Sequence, residues 1–298
     1  MFVILIALLA PALHAFSTII DSRLSNYEFK RISTIVFFFS FTSIILLPTY
    51  LFFGKIPAFD MNMLPYILLC GFINIFYLFP YYNAMKKIDT SIINSMFALG
   101  YIFTPIFAYI LLKDTLSIGQ ISGCAIILLF NIILNIEGKT KLKLNIAFFL
   151  MLITVSMLSM SSVVEKQALN SFNWVGFAFY SSVMSILISL SFFLFKKNRM
   201  DIIENFPNFK KSFHLFFFDE LFTFIGNIAG TYALSHLAVI QIKAINSSQP
   251  FFVLLYSFLL SVIFNIKLKE KYDKKSIIKK LICFCAIVFG ILLVVKAN

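Results

Sequence analysis

The sequence predicts an all-α, polytopic membrane protein with ten transmembrane helices, arranged as two inverted five-helix repeats. Three observations lead there. First, the 298 residues are 60% hydrophobic and only 13% charged, about half the charged share of a soluble domain. Second, the apolar residues fall in runs of about 20, the length that crosses a bilayer, and these runs are apolar on every face. Such a run satisfies its own backbone hydrogen bonds in lipid only as a helix; the alternating ten-residue strands of a barrel are absent from the sequence. Third, the order of breaks and runs recurs after half the chain. A shift of 149 residues lays Ala84 on Ala233, Ile93 on Ile242 and Phe103 on Phe252.

The expected spans are 2–20, 33–53, 63–85, 90–112, 116–136, 144–164, 174–195, 213–235, 240–265 and 277–296. Met1 to Ile20 has no basic n-region and no small-residue cleavage site, so it reads as the first span rather than a signal peptide. The connections are short, which predicts that neighbours in sequence are neighbours in space. The longest are Lys196 to Ser212 and Ile266 to Ser276, read as loops. Trp174, the single tryptophan, reads as an interfacial anchor at the start of the seventh span. The midpoint, Glu137 to Lys143, divides the chain into repeats 1–140 and 141–298 within one integral-membrane unit. Five spans per half force the second half to enter the membrane in the opposite sense, as in the inverted repeats of secondary transporters. The first and sixth spans support the pairing. Asp21 and Glu165 each follow an apolar run, with Ser17 and Ser161 four residues before them.

The net charge of +12 sits in short connections, which points to anionic lipid and not to nucleic acid. Loops after odd-numbered spans, counted with Lys279 and Lys280 at the start of the tenth span, hold 20 of the 25 Lys and Arg. The positive-inside rule then puts those loops in the cytoplasm and both termini outside. The cysteines Cys70, Cys124, Cys283 and Cys285 lie in apolar runs and read as packing residues, with no disulfide. Cys283-Phe284-Cys285 is too close and too isolated for a zinc site. No phosphate loop, metal-ligand cluster or catalytic triad is present in the sequence, so neither a metal nor another cofactor is expected, and ATP-driven transport by this chain alone is excluded.

Polar groups inside spans cost about 2.5–3.5 kcal/mol at a helix centre when charged, so they mark candidate functional positions. Asp219 and Glu220 lie some seven residues into the eighth span, about 100° apart on a helix; they and His14 are the proton-coupling candidates. The alternative is a span that begins later and leaves both acids at a wet interface. His14 lies mid-span with Ser17 one turn on, after Pro11, which is expected to kink the helix. The ninth span opens with Gln241, Lys243, Asn246, Ser247, Ser248, Gln249 and Pro250. Lys243, Asn246, Ser247 and Pro250 share one helical face, which should look inward. Lys243 is read as the partner either of an anionic solute group or of Asp219 or Glu220. Asn74, Tyr77 and Tyr81 in the third span, Asn94 and Tyr101 in the fourth, and Asn227 in the eighth complete the substrate-contact candidates.

The fourth-to-fifth span hairpin resembles the EamA type of the drug/metabolite transporter superfamily. Ala84, Ile88-Asp89-Thr90-Ser91-Ile92, Pro105-Ile106-Phe107 and Leu111-Leu112-Lys113-Asp114-Thr115-Leu116, then Gln120 and Gly123, follow that family's run. Lys113-Asp114 stands where the family usually has Gly-Glu. In the second half, Gln249-Pro250-Phe251-Phe252 is similar to the family's Glu-Pro-Val-Phe. The resemblance implies a basket around a central cavity ringed by spans one, three, four, six, eight and nine. It implies a secondary transporter, not an enzyme, that moves a small organic metabolite of amino acid or nucleoside type by alternating access. The expected location is a bacterial plasma (inner) membrane, and the expected partners are the lipid bilayer and a small solute, in a monomer or homodimer. The resemblance is also associated with cytoplasmic termini, against the charge count. An exchanger or facilitator, and a membrane sensor or scaffold that moves nothing, stay open as alternatives, as does an intramembrane enzyme using His14, Asp219 and Glu220.

Overall fold

The computed structural model describes residues 2–87, 93, 96–135, 146–253, 255–256 and 274–296, most of which are helical, with no strand among them. The helices are α1 (Phe2–Arg23), α2 (Ile32–Leu46), α3 (Leu64–Phe76), α4 (Leu78–Met85), α5 (Gly100–Leu112), α6 (Ile118–Asn135), α7 (Ile146–Leu169), α8 (Trp174–Leu190), α9 (Lys196–His236), α10 (Val239–Asn246) and α11 (Lys274–Lys296). Among the described residues, five stretches are long and apolar enough to cross a membrane: Phe2–Glu28, Ile32–Phe52, Met61–Met85, Ile146–Leu169 and Trp174–Leu194. Shorter apolar helices lie at Phe97–Leu112, Ile118–Ile133 and Ile282–Lys296. The expected midpoint break Glu137 to Lys143, most of the expected loop Ile266 to Ser276 and parts of the fourth and ninth spans lie outside the described residues; the last three residues of that loop, Lys274 to Ser276, are not loop but the start of α11.

Two helix breaks have the same cause. A proline clashes with the carbonyl four residues back and cannot donate to it. Pro80 acts on Phe76, and the expected third span divides into α3 and α4 around Tyr77. Pro250 acts on Asn246, and α10 ends there in a turn at Ser247 and Ser248. By contrast, α1 continues as one helix through Pro11.

Three expectations are corrected. The stretch Lys196 to Ser212 is not a loop but the first part of the 41-residue α9. Its charged residues cover one face, while Ile202, Phe209 and, two turns further on, Phe216 bury another. Phe38 stacks on Phe209 at 4.3 Å, and Phe29 and Phe39 meet Phe216 at 5.4 and 4.9 Å. This aromatic cluster supplies the burial that holds a polar sequence helical. Phe216 is fully buried, so Phe216→Ala should cost about 3–5 kcal/mol, read from denaturation in detergent.

The second correction concerns neighbours. The most extensive described helix contacts are α1 with α9, α6 with α11, α5 with α7, α3 with α8, and α2 with α9. Each joins an element before residue 136 to one after residue 146. Short connections constrain where a chain re-enters the membrane, but an all-apolar helix carries no marked face that would hold it to the next one. The third correction is that α1 and α7 run past Asp21 and Glu165, so both carboxylates lie inside helices and not beyond them.

Two local features fix helix ends. Lys113 ends α5 in the left-handed conformation with φ of 60°. A side chain costs about 1 kcal/mol there, so Lys113→Gly should raise stability by up to about 1 kcal/mol in a melting experiment. Asn173 caps α8 by accepting from the N–H groups of Val175 and Gly176, which sets Trp174 edge-on to Tyr232 at 5.2 Å. At the other end of α9, Arg31 forms an ion pair with Asp201 at 3.5 Å and Thr34 donates to the same carboxylate. This contact is partly exposed. Breaking the ion pair with Arg31→Gln should change stability by less than about 1 kcal/mol.

Candidate functional site

The helices enclose a central cavity of about 430 Å³ to which both halves of the chain contribute. Its geometry follows from α1 and α9, which lie side by side in opposite directions. Ala10 and His14 lie against Gly226, and Thr223 Oγ donates to Ser17 Oγ at 2.9 Å. Asp219 and Glu220 therefore fall level with Asp21.

These three acids make one end of the cavity. Tyr82 donates its hydroxyl to Asp21, and Tyr81 donates to the second oxygen at 3.4 Å. Ser43 donates to Glu220 at 2.7 Å. Asp219 is 4% exposed and lies beside Ser17, and its Oδ1 has no hydrogen-bond partner. Asp219 and Glu220 thus both line the cavity although they are adjacent on the helix: one turns toward α1 and the other toward α2. Among the described residues neither forms an ion pair, and no set of side chains is grouped to hold a metal ion.

The middle of the cavity carries its basic groups. His14 packs its ring on Gly226, where an added Cβ would lie 2.5 Å from Cδ2 and 2.6 Å from Nε2. Asn227 is its polar neighbour, and the buried Nε2 has no partner. Lys243 extends over Gly100, where an added Cβ would lie 2.1 Å from Cε and 2.5 Å from Nζ. Tyr101 donates to the Lys243 carbonyl at 2.8 Å and so ties α5 to α10. Gln249 donates to Thr18 at 3.1 Å, joining the segment after α10 to α1. Asn246, Ser247 and Pro250 line the cavity with Lys243, and Asn74, Tyr77 and Tyr81 line it from α3, the break and α4.

The far end holds Glu165, which accepts from Thr231 at 2.5 Å, near Tyr50 and Cys70. Thr231 lies 12 residues beyond Asp219 on α9, or about 18 Å along the axis. The cavity is therefore acidic at both ends and basic between them.

Of the residues singled out in the sequence, His14, Ser17, Asn74, Tyr77, Tyr81, Tyr101, Asp219, Glu220, Asn227, Lys243, Asn246, Ser247 and Gln249 line this cavity. Asn94 lies outside the described residues. Lys243 makes no ion pair with Asp219 or Glu220, so that pairing is not part of the site. Sequence reasoning passed over Asp21 and Glu165 as site residues by taking them for span ends. Their matched Ser-x-x-x-carboxylate spacing was the available signal.

Residues 1–136 match the model of the EamA-like transporter family. No curated protein matches the chain. A solved structure titled "Crystal structure of protein" is similar over 98% of this chain and 95% of its own length, with a TM-score of 0.60 and 12% identity. At that identity the likeness is one of fold, and it extends over both halves.

Proposed function

We propose that the chain, whose residues 1–136 match the model of the EamA-like transporter family within the drug/metabolite transporter superfamily, is a secondary membrane transporter that moves a small organic metabolite by alternating access. On this reading repeats 1–140 and 141–298 supply five spans each, enter the membrane in opposite senses and rock around the cavity. The observation that carries it is the cavity itself, whose polar groups come from both halves and keep unsatisfied atoms on His14, Asp219 and Asn246. Polar atoms left unpaired in a membrane interior are costly and are retained where a solute or proton pairs with them.

An amino acid- or nucleoside-like solute suits a space of this size with charged, amide and tyrosine groups on its walls. His14, Ser17, Asn74, Tyr77, Tyr81, Tyr101, Asn227, Lys243, Asn246, Ser247 and Gln249 are proposed to contact it, with Asp219, Glu220 and His14 carrying protons. Uptake of labelled metabolites into liposomes containing the purified chain tests this reading. Net flux supports it, flux only against a loaded counter-solute makes the protein an exchanger, and binding with no flux makes it a sensor. For orientation in the bacterial inner membrane, the basic odd-numbered loops are proposed to be cytoplasmic. A tag after Asn298 should then react with an impermeant label in intact cells, and protection of the tag would reverse the assignment.

A further inference from the structure

Three carboxylates meet at one end of the cavity, Asp21 from the first half and Asp219 and Glu220 from the second, and all three line it. Among the described residues no Lys or Arg forms an ion pair with any of them. The charged neighbours of Asp219 are Asp21 and Glu220, which share its sign. Uncompensated charge of one sign inside a membrane is strongly unfavourable, and amides of the same shape would have avoided it. The cluster therefore calls for a positive partner brought from outside the chain.

Two of the lining groups are open to such a partner. Glu220 is partly exposed; Ser43 donates to its Oε2, and its other oxygen has no partner among the described residues. Tyr77 is also partly exposed, lies within electrostatic range of all three acids, and keeps its hydroxyl without a partner among the described residues. Behind them Asp219 is 4% exposed with its Oδ1 unpaired, and Tyr81 and Tyr82 hold Asp21. The acids do not converge on one small ion: Asp219 turns toward α1 and Glu220 toward α2, and no set of side chains among the described residues is grouped to hold a metal. The space between them has an aromatic wall. The Tyr81 ring lies 6.3 Å from that of Tyr77 and 5.9 Å from that of Phe97, and all three line the cavity. Aromatic faces attract an organic ammonium and pack against its carbon chain, whereas a proton needs no such wall. A primary ammonium has three N–H donors, which suit the open oxygen of Glu220 and the Tyr77 hydroxyl oxygen.

We propose that Glu220 and Tyr77, with Asp21 and Asp219 behind them, form an ammonium subsite at this end of the cavity, and that the transported solute carries a protonated primary amine there. This rests on the transporter reading above and names the chemical class of its substrate. Glu220 and Tyr77 touch the ammonium, and the two more deeply buried acids supply negative charge. The subsite is shared between the halves, since Asp21 lies on α1 and Tyr77 at the break between α3 and α4, while Asp219 and Glu220 lie on α9. A solute held there would be touched by both halves as they move.

The test is thermal unfolding of the purified full chain in detergent, near neutral pH and at fixed ionic strength, with propylamine, butylamine and benzylamine as chlorides each compared with the alcohol of the same carbon skeleton. Ammonium and alcohol share shape and differ in charge. At least one amine should stabilise the protein at a concentration about tenfold lower than its alcohol, the difference expected for a charge-assisted pair. Glu220→Gln keeps the shape of the side chain and should erase that difference. Asp219→Asn should reduce it, and carries the comparison if the Glu220 variant fails to fold. Asp201→Asn, which removes an acid outside the cavity, should keep it. If no amine outperforms its alcohol in the unaltered protein, or if the Glu220 and Asp219 variants both keep the preference, the assignment is wrong. Stabilisation by sodium or magnesium chloride with none by the amines also overturns it, as does a preference erased by Glu165→Gln and kept by Glu220→Gln. Liposome flux separates this from the parent reading. Amines that bind without any flux leave the subsite standing and remove the transporter. Flux of uncharged solutes with no amine preference does the reverse.

Discussion

Gly290→Leu should leave little folded protein. Gly290 on α11 meets Gly123 on α6 so closely that a Cβ on Gly290 would lie 2.7 Å from Ile127 Cγ1 and 3.0 Å from the Gly123 carbonyl oxygen. A Cβ on Gly123 would lie 2.7 Å from the Gly290 carbonyl oxygen and 2.7 Å from Val294 Cγ2. Half of these obstacles are backbone, which cannot turn aside as a side chain can. In lipid, two helices gain little from hydrophobicity and hold together through close packing, which small residues permit. Even Gly290→Ala should therefore cost about 2 kcal/mol, and the leucine variant more. Gly230→Ala is the comparison, because its Cβ would find only Ala10 Cβ at an ordinary 3.9 Å. A Gly290→Ala protein that melts with the unaltered one, while Gly230→Ala does not, would refute the packing account.

The second large effect is on transport. The double variant Asp219→Asn, Glu220→Gln should lose the pH dependence of solute uptake across the neutral range, with a several-fold change in rate flattening to none. Both replacements keep shape and hydrogen-bonding capacity, so the contact with Ser43 survives. Asp219 Oδ1 has no partner, and no cation pairs with either acid among the described residues. A proton is the smallest species able to neutralise such a group, and both line the cavity. Asp21 sits level with them, so the triple variant that adds Asp21→Asn should show the same flat profile. Uptake that keeps its pH profile in the triple variant would assign coupling elsewhere, with His14 as the next candidate.

Parts of this could be read from the chain alone and parts could not. The lining residues of α10 were legible because a polar stripe at helical spacing inside an apolar run has one economical place to face. The breaks at Tyr77 and after Asn246 were available from Pro80 and Pro250 by the same steric rule, although the sequence reading applied it to Pro11, where α1 continues. The roles of Asp21 and Glu165 were hidden because a carboxylate at the edge of an apolar run looks like the edge of the membrane. What keeps it inside is a hydroxyl far away in sequence, Tyr82 for one and Thr231 for the other. The relation of Lys243 to the acids was equally hidden, since a cation and two carboxylates in one protein pair on paper. Their axial positions keep them apart here.

Composition and run length by themselves determined the solvent and the secondary structure: 60% apolar residues in membrane-length runs require lipid, and lipid requires helices. The assembly was decided only in three dimensions. Helices that are apolar all round carry no readable face, so which of them meet depends on shape, on glycines such as Gly123 and Gly290, and on single buried hydrogen bonds. Those contacts join residues some sixty or more positions apart, as Tyr82 to Asp21 and Thr231 to Glu165, and with them came the cavity, its two acidic ends and the lysine between them.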